Sequence, residues 1–324
     1  MKFATIGTGD IVKEFIKATK SFDNLNYGVC YSRTLPTAKI FLKNIDEENT
    51  IITTSFEEIV NQKVDFVYIA SPNGLHYSQA LFFLKNKINV LLEKPVTFLK
   101  KEILELTQLA NKNKVILLEA IKTIHSKEFE ILKEMSINSK ATGAFLNANQ
   151  YSSRMSKINK NIFDSVFDAE LGKGNTYDIL IYPVEMAIAL FGEVKEVKSI
   201  SKYLKNGVSI ADYVLIQHVN GNITSINSSK NNFQTVNSQI YSEDQTLEIK
   251  GIVTLDKIIS EHHIARVGRI EISRDETIHP MIQEIQEMIH LIKTQDFVKM
   301  NYWLNLSIQS IEVLEKISVI NSKN

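Results

Sequence analysis

The sequence predicts an α/β protein: a doubly wound parallel sheet over residues 1–120, then an α+β domain with a mostly antiparallel sheet over residues 121–324. Three observations predict it. Short apolar runs alternate with segments of helical period up to about residue 120, the order of linked strand–helix–strand units. Several of those runs stop at glycine, proline or charged residues, where the carboxyl ends of parallel strands bind ligands. Beyond residue 190 the runs interleave polar with apolar residues and are joined by turns such as Asn220-Gly221-Asn222, as antiparallel strands are.

Lys2 to Ile6 reads as the first strand and runs straight into Gly7-Thr8-Gly9-Asp10-Ile11-Val12, after which Phe15, Ile16 and Ala18 recur at helical spacing. Strand, glycine turn and helix is the order that phosphate binding needs. One glycine permits the turn, the next lets a pyrophosphate reach the backbone, and the helix start supplies N–H groups and partial positive charge. Gly7, Thr8, Gly9, Asp10 and Ile11 are therefore candidate cofactor contacts, with Val12 where a third small residue is usual. A bulkier residue there is expected to push the helix slightly off the strand. The second strand, Asn26 to Tyr31, ends in Ser32-Arg33. An acidic residue here would favour NAD; a serine and an arginine offer donors and positive charge to a 2′-phosphate, so NADP is expected, with NAD possible.

Pro36 to Asn44 reads as a helix, Ser55 as the cap of another, and Val64 to Ala70 as a buried parallel strand. That strand ends at Ser71-Pro72-Asn73-Gly74-Leu75-His76, where Asn73 can hold a ribose or carboxamide and His76 can contact the cofactor or anchor the next helix. Ile88 to Leu92 is a further strand, stopped by Glu93-Lys94-Pro95. Proline has no N–H and keeps its neighbour out of helix, so Lys94 is presented at a strand end.

Taken together, the glycine turn, Ser71-Pro72-Asn73 with His76, and Glu93-Lys94-Pro95 resemble the glucose-fructose oxidoreductase and inositol dehydrogenase family of NAD(P)-dependent enzymes. Glu119-Ala120 is similar to the end of the sixth strand in the branch that holds the dimeric dihydrodiol dehydrogenases. The resemblance implies a Rossmann domain followed by a domain with a large open sheet, whose exposed face makes homodimer or homotetramer contacts.

The second domain opens with a helix containing Phe129, Ile131, Leu132 and Met135, then a strand over Gly143 to Tyr151. Arg154 reads as a rim cation. Gly172 and Gly174 punctuate a loop before Asp178, Tyr182 and Glu185, which one continuous helix would place on a single face. Such a face is either open to water or functional, since burying three acid-capable groups unpaired is costly. The resemblance implies the second: the family has an aspartate here and, four residues on, a histidine or tyrosine, positions that Asp178 and Tyr182 occupy. Leu180 stands where the family has a glycine. Pro183 fits a first helical turn or kinks the helix, and Glu185 is not assigned to catalysis. Strands are expected at Val194 to Tyr203, Asp212 to Val219, Asn222 to Ser228, Gln239 to Tyr241, Thr246 to Leu255 and Arg269 to Ile272, and helices at Met281 to Lys293 and Asn305 to Ile320.

Hydride transfer to or from a carbon bearing oxygen requires a cation to stabilise the alkoxide and a group to carry its proton. Lys94 can supply the charge and Tyr182 the proton, with Asp178 orienting one of them or a substrate hydroxyl; Glu93 belongs with Lys94 among the cofactor contacts. The expected function is oxidation or reduction of a sugar, polyol, dihydrodiol or related small molecule; the alternative is a cofactor-binding sensor without turnover. Lys plus Arg equals Asp plus Glu at 37 each, so no net field favours nucleic acid or an anionic membrane. The single cysteine, Cys30, suits a reducing cytoplasm. No leader or membrane-length apolar run is expected, and adjacent His262 and His263 lack companions for a metal site.

Overall fold

The computed structural model describes residues 1–262 and 269–321; His263 and the tail beyond Asn321 lie outside the described residues. The chain forms two compact units. The first takes in Met1–Thr97, Lys101–Ala120 and His279–Asn305, and the second Phe98–Lys100, Ile121–Ile278 and Leu306–Asn324.

In the first unit six strands, β1 (Lys2–Ile6), β2 (Asn26–Tyr31), β3 (Ile51–Thr53), β4 (Phe66–Ile69), β5 (Asn89–Glu93) and β6 (Leu117–Ala120), alternate with α1 (Asp10–Thr19), α2 (Leu35–Lys43), α3 (Phe56–Asn61), α4 (His76–Lys85) and α5 (Lys100–Asn113). The strands are all parallel, in the order β3-β2-β1-β4-β5-β6. The order therefore reverses between β1 and β4, which opens the crevice where doubly wound sheets bind nucleotides. Strand β3 was not expected; three residues are too few to show a period. Under α1 the core is aromatic. Phe3 stacks on Phe66 and Tyr27 at 5.5 and 5.2 Å, and Phe15 of α1 stacks on Tyr68 at 3.8 Å. These contacts seat the helix that follows the glycine turn. Val12 is fully buried beside them, so the valine is accommodated in the helix–sheet interface.

The second unit begins with α6 (Lys122–His125) and α7 (Lys127–Asn138) and carries β7 (Gly143–Asn149), α8 (Met155–Ile158), α9 (Asn175–Asp178) and α10 (Ile181–Phe191). Then follow β8 (Val194–Tyr203), β9 (Ser209–His218), β10 (Ile223–Ser229), β11 (Ser238–Tyr241), β12 (Gln245–Lys250), β13 (Lys257–His262) and β14 (Ile270–Ser273). Helices α11 (Ile282–Thr294) and α12 (Phe297–Asn321) complete the described chain. The eight strands lie in the order β14-β13-β12-β11-β7-β10-β9-β8, antiparallel except for the β7–β10 pair. Helix α10 packs on β7 and β10 and covers one face of this sheet.

Two expectations are corrected here. The strand read from Thr246 to Leu255 stops early: β12 ends at Lys250, Gly251 turns the chain at φ +74°, and a further strand that was not expected, β13, starts at Lys257. The continuous helix through Asp178, Tyr182 and Glu185 is two. Helix α9 stops at Asp178 and α10 starts at Ile181. Pro183 has no N–H to return to the Ile179 carbonyl, which instead accepts from Tyr182 N–H at 3.2 Å. Leu180, fully buried, fills the break. Among the described residues no helix is long and apolar enough to cross a membrane.

Candidate active site

In the first unit the candidate residues line the carboxyl edge of the sheet. Gly7 sits at φ +121°, and a β-carbon on it would lie 2.6 Å from the Ala70 carbonyl oxygen, so β1 and β4 approach there only because no side chain intervenes. Gly9 is the opposite case. It caps α1, and a β-carbon on it would meet nothing within 4 Å, so its backbone faces open space. Gly9, Asp10 and Ile11 are exposed, and the Gly9 carbonyl accepts the α1 bond from Val12 N–H at 3.1 Å. Thr8 is half-buried between the two glycines. An open backbone at the start of a ten-residue helix fits a pyrophosphate. At the end of β2, Ser32 is buried and donates its N–H to Thr53 at 3.2 Å, while Arg33, the next residue, is exposed.

The segments after β4 and β5 are tied together. Ser71 Oγ donates to Gln79 Oε1 at 2.7 Å, the Pro72 carbonyl accepts from Leu75 N–H at 2.9 Å, and Asn73, half-buried, opens a short 3-10 turn. His76 follows, with no exposed surface. Its Nδ1 lies 2.9 Å from the Pro95 carbonyl and its Nε2 3.0 Å from that of Ser71. The ring that the sequence offered as a cofactor contact thus spans the two segments as a brace. Burial drives its pKa down to about 4, against the two carbonyls, which favour the protonated ring.

Lys94 is half-buried, and its neighbours are held on three sides. Tyr68 donates to Glu93 Oε1 at 2.5 Å, His76 meets the Pro95 carbonyl, and Val96 N–H donates to Glu119 Oε1 at 2.9 Å. The Lys94–Pro95 peptide is cis. Glu93, Glu119 and His76 are each at least nine-tenths buried, so the lysine stands on a rigid frame.

In the second unit the loop before α9 is fixed by contacts that admit no side chain. A β-carbon on Gly172 would lie 2.1 Å from the Ser165 carbonyl oxygen, and one on Gly174, at φ +73°, 2.2 Å from that of Ser209. Just beyond, Asp212 gathers four side-chain donors. Asn175 Nδ2 lies at 2.7 Å, Thr176 Oγ1 at 3.1 Å and Ser209 Oγ at 3.4 Å, and Ser201 completes the set. Burial raises the Asp212 pKa, and the donors oppose that. Asp178, the last residue of α9, is ion-paired with Lys230, which follows β10 and is 5% exposed. Tyr182, in the first turn of α10, is 8% exposed and Glu185 is fully buried, so this stretch does not face bulk water. Arg154 pairs with Asp164 in a half-exposed contact.

Lys230 and the Asp212 network are features of the candidate site that sequence reasoning missed. The available signal was register: Thr224, Ile226 and Ser228 alternate as buried positions of β10, and Lys230 continues the series.

Residues 1–121 match the family model described as an oxidoreductase family with an NAD-binding Rossmann fold. An uncharacterised oxidoreductase of Escherichia coli K12, YgjR, is 32% identical over 260 residues, 80% of this chain and 78% of the relative. The NADP(+)-dependent scyllo-inositol 2-dehydrogenase IolU of Bacillus subtilis 168 is 28% identical over 320 residues, 98% and 95% of the two chains. Among solved structures, the 3-ketoreductase KijD10 of Actinomadura kijaniata, in complex with NADP and TDP-benzene, superposes with a TM-score of 0.86 at 16% identity, covering 98% and 97%.

Proposed function

Because the chain belongs to the GFO/IDH/MocA family of oxidoreductases, with a Rossmann first domain, we propose that it moves a hydride between NADP and a carbon–oxygen centre of a sugar, polyol or dihydrodiol. The observation that carries this is the frame around Lys94. Three buried groups from three other positions of the unit fix one lysine at the carboxyl edge of the sheet. When bound, the nicotinamide gives or takes the hydride.

The chain's residues do the rest. Gly7 to Ile11 receive the pyrophosphate on backbone N–H groups, and Ser32 and Arg33 hold the 2′-phosphate. Ser71, Pro72 and Asn73 border the ribose and carboxamide, with His76 and Glu93 keeping that edge in shape. Lys94 stabilises the alkoxide, Tyr182 exchanges its proton, and Asp178 orients the reacting groups. The NADP(+) dependence in the name of IolU and the NADP in the KijD10 structure support NADP, with NAD as second choice. The protein acts in the cytoplasm as a homo-oligomer assembled through the open face of the eight-stranded sheet.

The test is a screen of sugars, polyols and diols for change in reduced-nicotinamide absorbance, with NADP and NAD in parallel, repeated on Lys94→Ala. We expect turnover with NADP and a fall in kcat of about 10²-fold or more in the variant. Cofactor binding without turnover across the panel would favour the sensor, and equal rates in the variant would remove Lys94 from the chemistry.

A further inference from the structure

Lys230 is an unusual residue for its position. The buried register of β10 is otherwise small or neutral, with Thr224, Ile226 and Ser228 at 0%, 3% and 0% exposure. At the next position stands a lysine whose side chain is 6% exposed. Removing an ammonium from water is costly, and a neutral residue would serve stability as well or better.

Both ends of its ion pair are held by backbone. Lys230 N–H donates to the Ile210 carbonyl at 2.9 Å, and its own carbonyl accepts from Ser152 N–H at 2.8 Å. The lysine Cα is thereby pinned between the end of β7 and the start of β9. Asp178 N–H donates to Gly174 at 3.1 Å, and α9 is tied to Ser228 and Asp212 through Asn175 Nδ2. The Asp178 carboxylate is thus gripped through Oδ2 by a cation whose base cannot shift, four residues ahead of Tyr182.

We infer that Lys230 is a positioning residue: by holding Oδ2 it fixes the charge and orientation of Asp178, so that this carboxylate presents a defined acceptor to a substrate hydroxyl. The inference rests on the function proposed above. It also narrows the substrate class, because a carboxylate held this way selects a hydroxylated carbon skeleton over a bare ketone or aldehyde.

The experiment is a double-mutant cycle on the full chain, using Lys230→Met, Asp178→Asn and the pair together, with Lys230→Arg as the conservative variant. Each is assayed with NADP and the substrate found in the screen, alongside NADPH affinity from nicotinamide fluorescence. Lys230→Met is expected to lower kcat about 10²-fold, the scale of a displaced catalytic group, with NADPH affinity unchanged and Lys230→Arg recovering much of the loss. The pair is expected to be no worse than Asp178→Asn alone, because the lysine acts only through the aspartate. Should Lys230→Met fail to fold, Lys230→Gln, which removes the charge but keeps a polar head, takes its place in the cycle. Losses that multiply in the pair, or an unchanged kcat in Lys230→Met, overturn the inference while the proposed function stands. Absence of turnover by the unmodified protein overturns both.

Discussion

His76 shows how one buried side chain can brace two segments of the sheet's carboxyl edge. A neutral imidazole has one N–H for the two carbonyls it faces, so its charged form would be the better donor; burial nevertheless prevails and holds the pKa at about 4. In the unfolded chain the ring takes up a proton near 6.5, whereas the folded protein resists until about 4. Stability from this residue is therefore complete above pH 6.5, declines as the pH falls, and is lost below about 4, a total of roughly 3 kcal/mol. His218 is also buried, with its pKa lowered chiefly by burial, and adds a slope of the same sign. Asp212, raised by burial, works in the opposite direction. Urea unfolding from pH 7 to 4, compared with His76→Asn, isolates the first contribution because the other two cancel in the difference. The variant should show the shallower loss with acid. Parallel curves would mean that His76 is not held neutral by its surroundings.

At the scale of elements, the turn before α9 decides where Asp178 and the start of α10 are carried, and two glycines make that turn possible. Gly174 and Gly192 both have positive φ, at +73° and +81°, but a β-carbon would strike the Ser209 carbonyl oxygen at 2.2 Å in the first and meet nothing within 4 Å in the second. Gly192→Ala should therefore cost only the strain of a backbone at φ +81°, ψ −157°, a region essentially reserved for glycine, about 1–3 kcal/mol. Gly174→Ala adds a collision with an anchored chain, because Ser209 Oγ accepts from Thr176 N–H at 3.0 Å, and should cost more than about 3 kcal/mol. Thermal melts of the two variants test this, and equal losses would show that the loop yields. Gly172 and Gly174 were legible in the sequence as punctuation, as were the strand ends that carry Gly7, Ser32, Ser71 and Lys94. Other elements were not. The break at Ile179 and Leu180 lies inside an apolar pattern that satisfies one long helix, and only the missing N–H of Pro183 betrays it. Lys230 was invisible for a different reason: a lysine after a serine-rich strand reads as solvated until the register of its neighbours shows which face is covered.

At the scale of the whole molecule, the open face of the second unit's sheet is the feature that a single chain leaves unexplained. Cross-strand register places Ile200 opposite Tyr213, and Leu215 opposite Lys198 and Ser225, with Phe145 next in that row. Ile200, Tyr213 and Leu215 are 76%, 50% and 46% exposed. Single exposed apolar residues are ordinary, but rows of them on adjacent strands form a patch of the kind that marks an interaction surface. A flat strand face presents the same side chains to a second copy, and a two-fold pairing lets one patch serve both partners. The patch is also close to neutral, with Lys198 at its margin, so charge does not oppose self-association. Replacing Ile200 and Leu215 together with glutamate would set like charges against each other across such an interface while leaving the covered face of the sheet untouched. Sedimentation velocity should then report a monomer for Ile200→Glu/Leu215→Glu, against a dimer or tetramer for the unmodified chain, with little change in melting temperature beyond what dissociation itself removes. A sedimentation coefficient that is the same for both proteins and independent of concentration would show that this face is not the contact between copies.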